Sequence, residues 1–553
     1  MMKVFIKFKQ IGIALGLLAL VSCNDFLDRE PMNATYDGVY WTTQKEAEQA
    51  VAGAYASFRE ALLEARFLYW GEYPAQTFLG GSHSRVQPVY NGNFTNLYYR
   101  TDVFEWKQFY RAANWALTVQ DRIKKMDTNL FDSPEMKNKL LGEAAFVQSL
   151  SYFYLTRIWG DVPLVKEILD DFAQLVTADG YVKGKRRSPE AEVLQYALDK
   201  ANEAVSLLEY STPEAADWAI RANKASAQAL EAHIAVRYAS RIDDEAKKHE
   251  LLTEAVKATT DVINLSNAEL IDYTADDDAE GGAAGVELMC KGQSKTGLFE
   301  IYIGTALSES FLMTSNLSSH ISLVSPEPYR ASGISNVLKY YKNNYGNDMM
   351  FKDDIRANDA RRKLFFNLYP DPKSQDPNQP GPGGDASSFE STYNAEFGLT
   401  KYLYSTQDPN ASASDLTSNV PKTLFSESNI LIFRLADIYL LRAEANLDLG
   451  EDSGVIIPDI DAIREKARVP SYDTTAEGDD SESLKKAIFD ERAIEFVGEG
   501  QIAYDRLRMK YFDGLNYYSA ARLNEGGFFW PISRDLISAN PILTQTPYWQ
   551  GKI

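Results

Sequence analysis

Two cysteines among 553 residues, Cys23 and Cys290, set the terms on which this chain can fold. Cys23 closes the stretch "LLALVSCNDFLD" (17–28), whose apolar part "IGIALGLLALV" (11–21) follows Lys3, Lys7 and Lys9. A bilayer-spanning helix takes roughly 20 apolar residues, so this run is too short to cross but suits the hydrophobic part of an export signal. Leu20-Val21-Ser22-Cys23 has the form of a bacterial lipobox, in which the thiol receives a diacylglyceryl group. The sequence therefore predicts a signal peptide over 1–22, lipidation at Cys23 and an acidic leash over 23–43. A cut elsewhere would leave Cys23 incidental. Several acyl chains give a stable anchor where a single chain binds only marginally. With Cys23 acylated, Cys290 has no partner, and the body that follows must be held by its core without a disulfide.

The charge balance narrows the partners. Against 57 basic residues stand 78 acidic ones, for a formal net charge of −21. Nucleic-acid binding needs a basic face, so the composition argues against it.

Beyond the leash the pattern is helical from 44 to 265. "TTQKEAEQAVAGAYASFREALLEA" opens with Thr42 or Thr43 ahead of an acidic first turn. Further helices are predicted over 105–126, 133–160, 188–208, 223–241 and 243–265, the second starting at Ser133-Pro134 and stopping at Gly160. A small residue, a Leu five on and a packing residue seven on recur at Ala145/Leu150/Tyr152, Ala225/Leu230/Ala232 and Ala436/Leu441/Ala443. Such spacing lets helices approach closely, as in tetratricopeptide-type hairpins, although it also follows from the abundance of Ala and Leu in helices. From 266 to 428 the pattern breaks into a loop-rich excursion containing "TADDDAEGGAAG" (274–285) and "YPDPKSQDPNQPGPGGDASS" (369–388), with short pieces such as "GLFEIYIG" (297–304) that read as strands. Helices return over 429–450, 459–469 and 483–509 within a C-terminal part spanning 429–553. Excursions of this length tend to be functional surface.

"IFRLADIYLLRAEANLDLG" (432–450), "EAAFVQSLSYFYLTRIWGDVPLV" (143–165), "IFDERAIEFVGEG" with "AYDRLRM" (488–509), the tail "FFWPISRDLISANPILTQTPYW" (528–549) and the opening "SCNDFLD" resemble the signature segments of the SusD/RagB-like family of surface lipoproteins, and they stand in family order along the chain. "TQTPYW" stands where Asn-Pro-Gly-Tyr is more usual, and "DRLRMKYF" lacks the usual Trp. The resemblance implies one mainly α domain over 23–553, a tetratricopeptide-like scaffold of helical hairpins with long irregular loops and a few short strands. It also implies a cell-surface site on the outer membrane and a SusC-like TonB-dependent transporter as partner. The implied cargo is an oligosaccharide, or in some lineages a peptide, passed on without chemical change. The signature segments would be scaffold, leaving the ligand to the loops.

Nothing in the residues singles out an enzyme. His83, His233, His249 and His320 lack metal-ligand spacing, "GQSKTG" (292–297) lacks the Gly that precedes Lys in a phosphate loop, and "DDDAE" (276–280) lacks the spaced ligands of a calcium loop. No metal or cofactor is predicted. No spacing picks out a carboxylate pair for glycoside hydrolysis. What does stand out is 67–110, with 13 aromatics in 44 positions mixed with Gly, Asn, Arg and Ser. Sugar rings stack their C–H faces on flat aromatics while polar side chains satisfy the hydroxyls. Tyr69, Trp70, Tyr73, Tyr90, Tyr98 and Tyr99 are therefore candidate ligand contacts, with Trp70 and Tyr73 as readily core as platform. Trp106, Phe109 and Tyr110 read as packing. Tyr329 and Arg330, with the tyrosines of "KYYKNNYGND" (339–348), are candidates for a second wall. The sequence thus predicts a glycan-binding surface lipoprotein; a peptide carrier, a surface glycosidase and a pure scaffold are the rival readings.

Overall fold

Thr43 begins the first helix with a reciprocal cap: its hydroxyl accepts from the backbone N–H of Glu46, and the Glu46 carboxylate accepts from that of Thr43 at 3.0 Å. The structure, a computed structural model, describes residues 40–63, 66–75, 78–79, 87–95, 101–168, 184–275, 281–303, 339–341, 353–356, 358–368, 396–399, 401, 405–407, 424–426, 428–515 and 517–552. Its principal helices are α1 (Gln44–Leu62), α2 (Arg66–Gly71), α3 (Lys107–Lys125), α4 (Pro134–Trp159), α5 (Glu190–Leu207), α6 (Lys224–Ala239), α7 (Glu245–Leu265), α8 (Gly282–Lys291), α9 (Leu435–Leu449), α10 (Ser453–Lys466), α11 (Ser481–Glu495) and α12 (Ile502–Met509). Each long helix packs on the next: α1 on α3, then α4, α5, α6, α7 and α9, with α10 and α11 closing on α9. The mainly α, tetratricopeptide-like expectation therefore holds. From Leu140 to its end α4 is buried, which is why its apolar residues there run round every face instead of forming one stripe. The recurring triplets at Ala145, Ala225 and Ala436 are buried on α4, α6 and α9, and α6 contacts both of the others.

Two expectations need correction. Within the stretch predicted as helix over 429–450, the first part is a strand, β8 (Ile430–Arg434), paired antiparallel with β2 (Gly297–Ile301). Its Ile-Leu-Ile-Phe run suits an extended, doubly buried segment once a partner strand lies beside it. The stretch 483–509 is two helices, because Gly498 and Gly500 take φ of 77° and 69° and turn the chain between α11 and α12.

Among the described residues, six further strands lie outside the array. β1 (Phe78–Leu79), β3 (Lys339–Tyr341), β5 (Glu396–Leu399) and β4 (Phe366–Leu368) form a sheet in that spatial order, all antiparallel. β6 (Ser405–Gln407) and β7 (Leu424–Ser426) form a separate pair. Among the described residues no helix is long and apolar enough to cross a membrane.

Candidate ligand-binding surface

The signature segments meet in the interior. On β8, Arg434 Nη1 donates to Glu495 at 2.6 Å, and its Nε and Nη2 reach Glu499 at 2.9–3.1 Å. On α9, Asp437 pairs with Arg492 at 2.7 Å and with His233 at 2.5 Å. Arg492 reaches on to Asp505 at 2.9 Å, and Arg508 forks onto Glu444 at 2.7 and 2.8 Å. All of these groups are buried, and each ion has a counter-ion. Burial alone would raise the Asp437 carboxyl, but His233 and Arg492 outweigh it and hold it well below the usual range. The same contest at Glu495, with Arg434, Arg361 and Lys401 outweighing burial, leaves its carboxyl at about 2. These residues bind one another, which makes them framework. Among the described residues no group of three or more His, Cys, Asp or Glu is arranged to hold a metal ion.

The aromatic segment is partly framework too, and here the sequence reading is corrected. Tyr69, Trp70 and Tyr73 are at most 2% exposed. Trp70 donates its indole N–H to the carbonyl of Val103 at 2.9 Å, with its ring centroid 5.4 Å from Phe109 and 5.8 Å from Trp159. Tyr69 and Tyr73 meet edge to face at 5.2 Å. Trp70 on the short α2 faces α3 and α4, and with Tyr69 and Tyr73 buried beside it no platform is left from these three. Tyr90 ends a short helix, Gln87–Tyr90. Cys23, Tyr98, Tyr99, Tyr329 and Arg330, together with the "DDDAE" loop, lie outside the described residues.

What sequence reasoning does not find is the device that brings the two candidate walls together. β1 belongs to the aromatic segment and β3 to "KYYKNNYGND", and they pair directly, Phe78 opposite Tyr340 and Leu79 opposite Lys339. Three fully buried ionisable side chains stand at the roots of this sheet. Glu72 precedes β1 and accepts from the backbone N–H groups of Gly498 and Gly500 at 3.2 and 3.0 Å. Burial nevertheless dominates at Glu72 and pushes its carboxyl up to about 8. Arg361, ahead of β4, donates to Glu491 at 2.7 Å and to Glu495 at 2.8 Å. Lys401, just after β5, donates to Glu499 at 2.5 Å and to the carbonyl of Glu495 at 2.8 Å. The signal in the sequence is a lone acid, Glu72, between Trp70-Gly71 and Tyr73, and a Gly-Glu-Gly triplet with no other obvious role. Elsewhere a cleft of about 350 Å³ opens between the start of α4 and the end of α5, lined among others by Lys139, Asp217, Arg221, Met136, Leu207 and Leu208. None of the candidate residues lines it.

The described residues thus form a helical array that carries a loop-borne sheet on a buried ionic frame. Comparison with known proteins places it further. A model described as the SusD family matches residues 334–549, and one described as starch-binding associating with the outer membrane matches 25–236. The chain is 24% identical to SusD-like protein P38 of Formosa agariphila over 98% of this chain and 100% of that one. It is 27% identical to a SusD-like protein of Bacteroides ovatus over 40% of this chain and 39% of that one. A SusD homolog of Bacteroides thetaiotaomicron of known structure superposes with a TM-score of 0.67 at 21% identity, covering 92% of this chain and 99% of that one. The chain belongs to the SusD/RagB-like family.

Proposed function

We propose that this protein is an outer-membrane lipoprotein, anchored through Cys23 at the cell surface, that captures an oligosaccharide and hands it unchanged to a SusC-like TonB-dependent transporter. The observation that carries the reading is the pairing of β1 with β3, which joins an aromatic-rich segment to the loop-rich excursion in one sheet. The starch-binding description of the matching family model supports a glycan cargo. With Tyr69, Trp70 and Tyr73 withdrawn to the core, the proposed contacts are Tyr90, Tyr98, Tyr99, Tyr329 and Arg330. Their rings would stack on sugar C–H faces, and the arginine would serve hydroxyls. Tethering beside the transporter raises local concentration, so contacts between the two need only moderate strength.

Calorimetric titration with neutral glycans, acidic glycans and a peptide pool tests the cargo, with the Tyr98→Ala/Tyr99→Ala double variant alongside. Saturable glycan binding that weakens in a folded double variant is expected. Peptide binding alone would replace the cargo and keep the carrier. Bond cleavage lost on removing one carboxylate would make the protein a glycosidase, and transporter binding without any small ligand would make it a scaffold. Loss of membrane association in Cys23→Ser tests the anchor.

A further inference from the structure

The four-stranded sheet is too slight to hold itself. Its strands are two, three, three and four residues long, and they come from chain segments more than 250 residues apart at the extremes. Sheets of such short strands are marginal without further packing. Yet the roots of three strands converge on one ten-residue stretch, 491–500, which is the end of α11 and the Gly-Glu-Gly turn after it.

Each root is held differently. At β1 the chain is pressed against the turn: a Cβ on Gly71 would lie 1.8 Å from the carbonyl oxygen of Gly500. Glu72 then takes the two N–H groups that the left-handed glycines expose. At β4, Arg361 forks onto Asp359 at 3.0 and 2.8 Å while its other face spans Glu491 and Glu495. Arg356 adds a bond to Glu491 at 2.7 Å. At β5, Lys401 bonds Glu499 and the Glu495 carbonyl, and its ammonium lies 4.3 Å from the ring centroid of Phe365, the residue immediately before β4. The backbone of Lys401 is fixed in turn, its carbonyl accepting from the Cys290 thiol at 2.8 Å. Buried charge pairs add little net stability over apolar packing, but they are directional, and losing one partner is costly. The long helices of the array, by contrast, pack directly on one another.

We propose that residues 491–500 form a common clamp that sets the position of the ligand-bearing sheet, with Glu72, Arg361 and Lys401 as its positioning residues. This rests on the reading that the sheet and its loops carry the ligand. The signature residues thereby serve the site at a distance, aiming the sheet and its loops from a fixed frame.

Hydrogen exchange on the full-length protein tests the clamp without any ligand. Lys401→Met removes the ammonium and leaves Glu499 paired with Arg434. Peptides carrying β3, β4 and β5 are expected to exchange about tenfold faster or more, with α4–α7 unchanged. Lys401→Arg, which keeps a donor toward Glu499, should recover part of the protection. Glu72→Gln is the milder second variant, expected to loosen the peptide carrying β1 should Lys401→Met not fold. Unchanged sheet protection in both variants, or equal acceleration across array and sheet, would overturn the clamp. Calorimetry with the same glycan panel separates the two claims. A loosened sheet with about tenfold weaker glycan binding supports both. A loosened sheet with wild-type glycan affinity keeps the clamp and overturns the assignment of the ligand to this sheet.

Discussion

The interior around Trp70 and the interior around Glu495 are held by different forces. Around Trp70 the contacts are ring to ring: Phe58, Phe109, Tyr154 and Trp159 pack at 5.3–6.2 Å, and even Arg157 is gripped by Tyr154 and Tyr504 with its guanidinium 4.0 and 3.9 Å from the ring centroids. Around Glu495 the contacts are ion to ion, with Arg434, Arg361 and Lys401 on one side and Glu491, Glu495 and Glu499 on the other. Ring packing is broad and tolerant, and it makes a stable wall. An ionic lattice is directional and unforgiving, and it fixes where distant segments sit. Around Trp70 the first kind serves where helices need only meet, and around Glu495 the second serves where short strands must be placed.

The contrast is best broken at its strongest point. Glu491→Ala, which removes the carboxylate shared by Arg356 and Arg361 and leaves the buried cluster one negative charge short, should cost about 3–5 kcal/mol in denaturant unfolding. Trp70→Phe keeps most of the packing but leaves the Val103 carbonyl without its donor, and should cost about 1–3 kcal/mol by the same measurement. pH sharpens the difference. Glu495 has its carboxyl lowered from 4.5 to about 2, so its contribution is full above pH 4.5 and is lost as pH falls toward 2. Acid unfolding of Trp70→Phe should therefore track that of the wild type. Glu72 runs the opposite way: raised from 4.5 to about 8, it favours the fold fully below pH 4.5 and loses that contribution as pH rises to 8. The stability gap between wild type and Glu72→Gln should shrink across that window. The smallest effect belongs outside both interiors. Lys124 and Glu203 pair at 2.9 Å with the lysine half exposed, and Lys124→Ala should change stability by about 0.5 kcal/mol or less.

The helices are legible in the sequence because their signals are local. Thr43, Ser133 and Gly160 cap where their residue types say they should, and α1, α3 and α5 follow the apolar period. β8 escapes such a reading because its apolar residues adjoin a helix of the same composition, and only the partner strand β2 makes them extended. The aromatic segment shows the limit of composition. Ring density at 67–110 marks a place where much apolar surface must go, but whether Trp70 faces water or Trp159 is decided by α3 and α4. The clamp is illegible for the same reason at longer range. Glu72 lies 426 residues from Gly498 and Lys401 lies 98 from Glu499, and no local pattern joins them.

The most direct test is a hydrogen-exchange footprint of the full-length protein with the glycan that binds best in the calorimetric panel. Protection is expected to concentrate in the peptides carrying β1, β3 and β5 and the loops between them, with α4–α7 unchanged. Protection confined to the helical array, or to the cleft between α4 and α5, would contradict a ligand held by the clamped sheet.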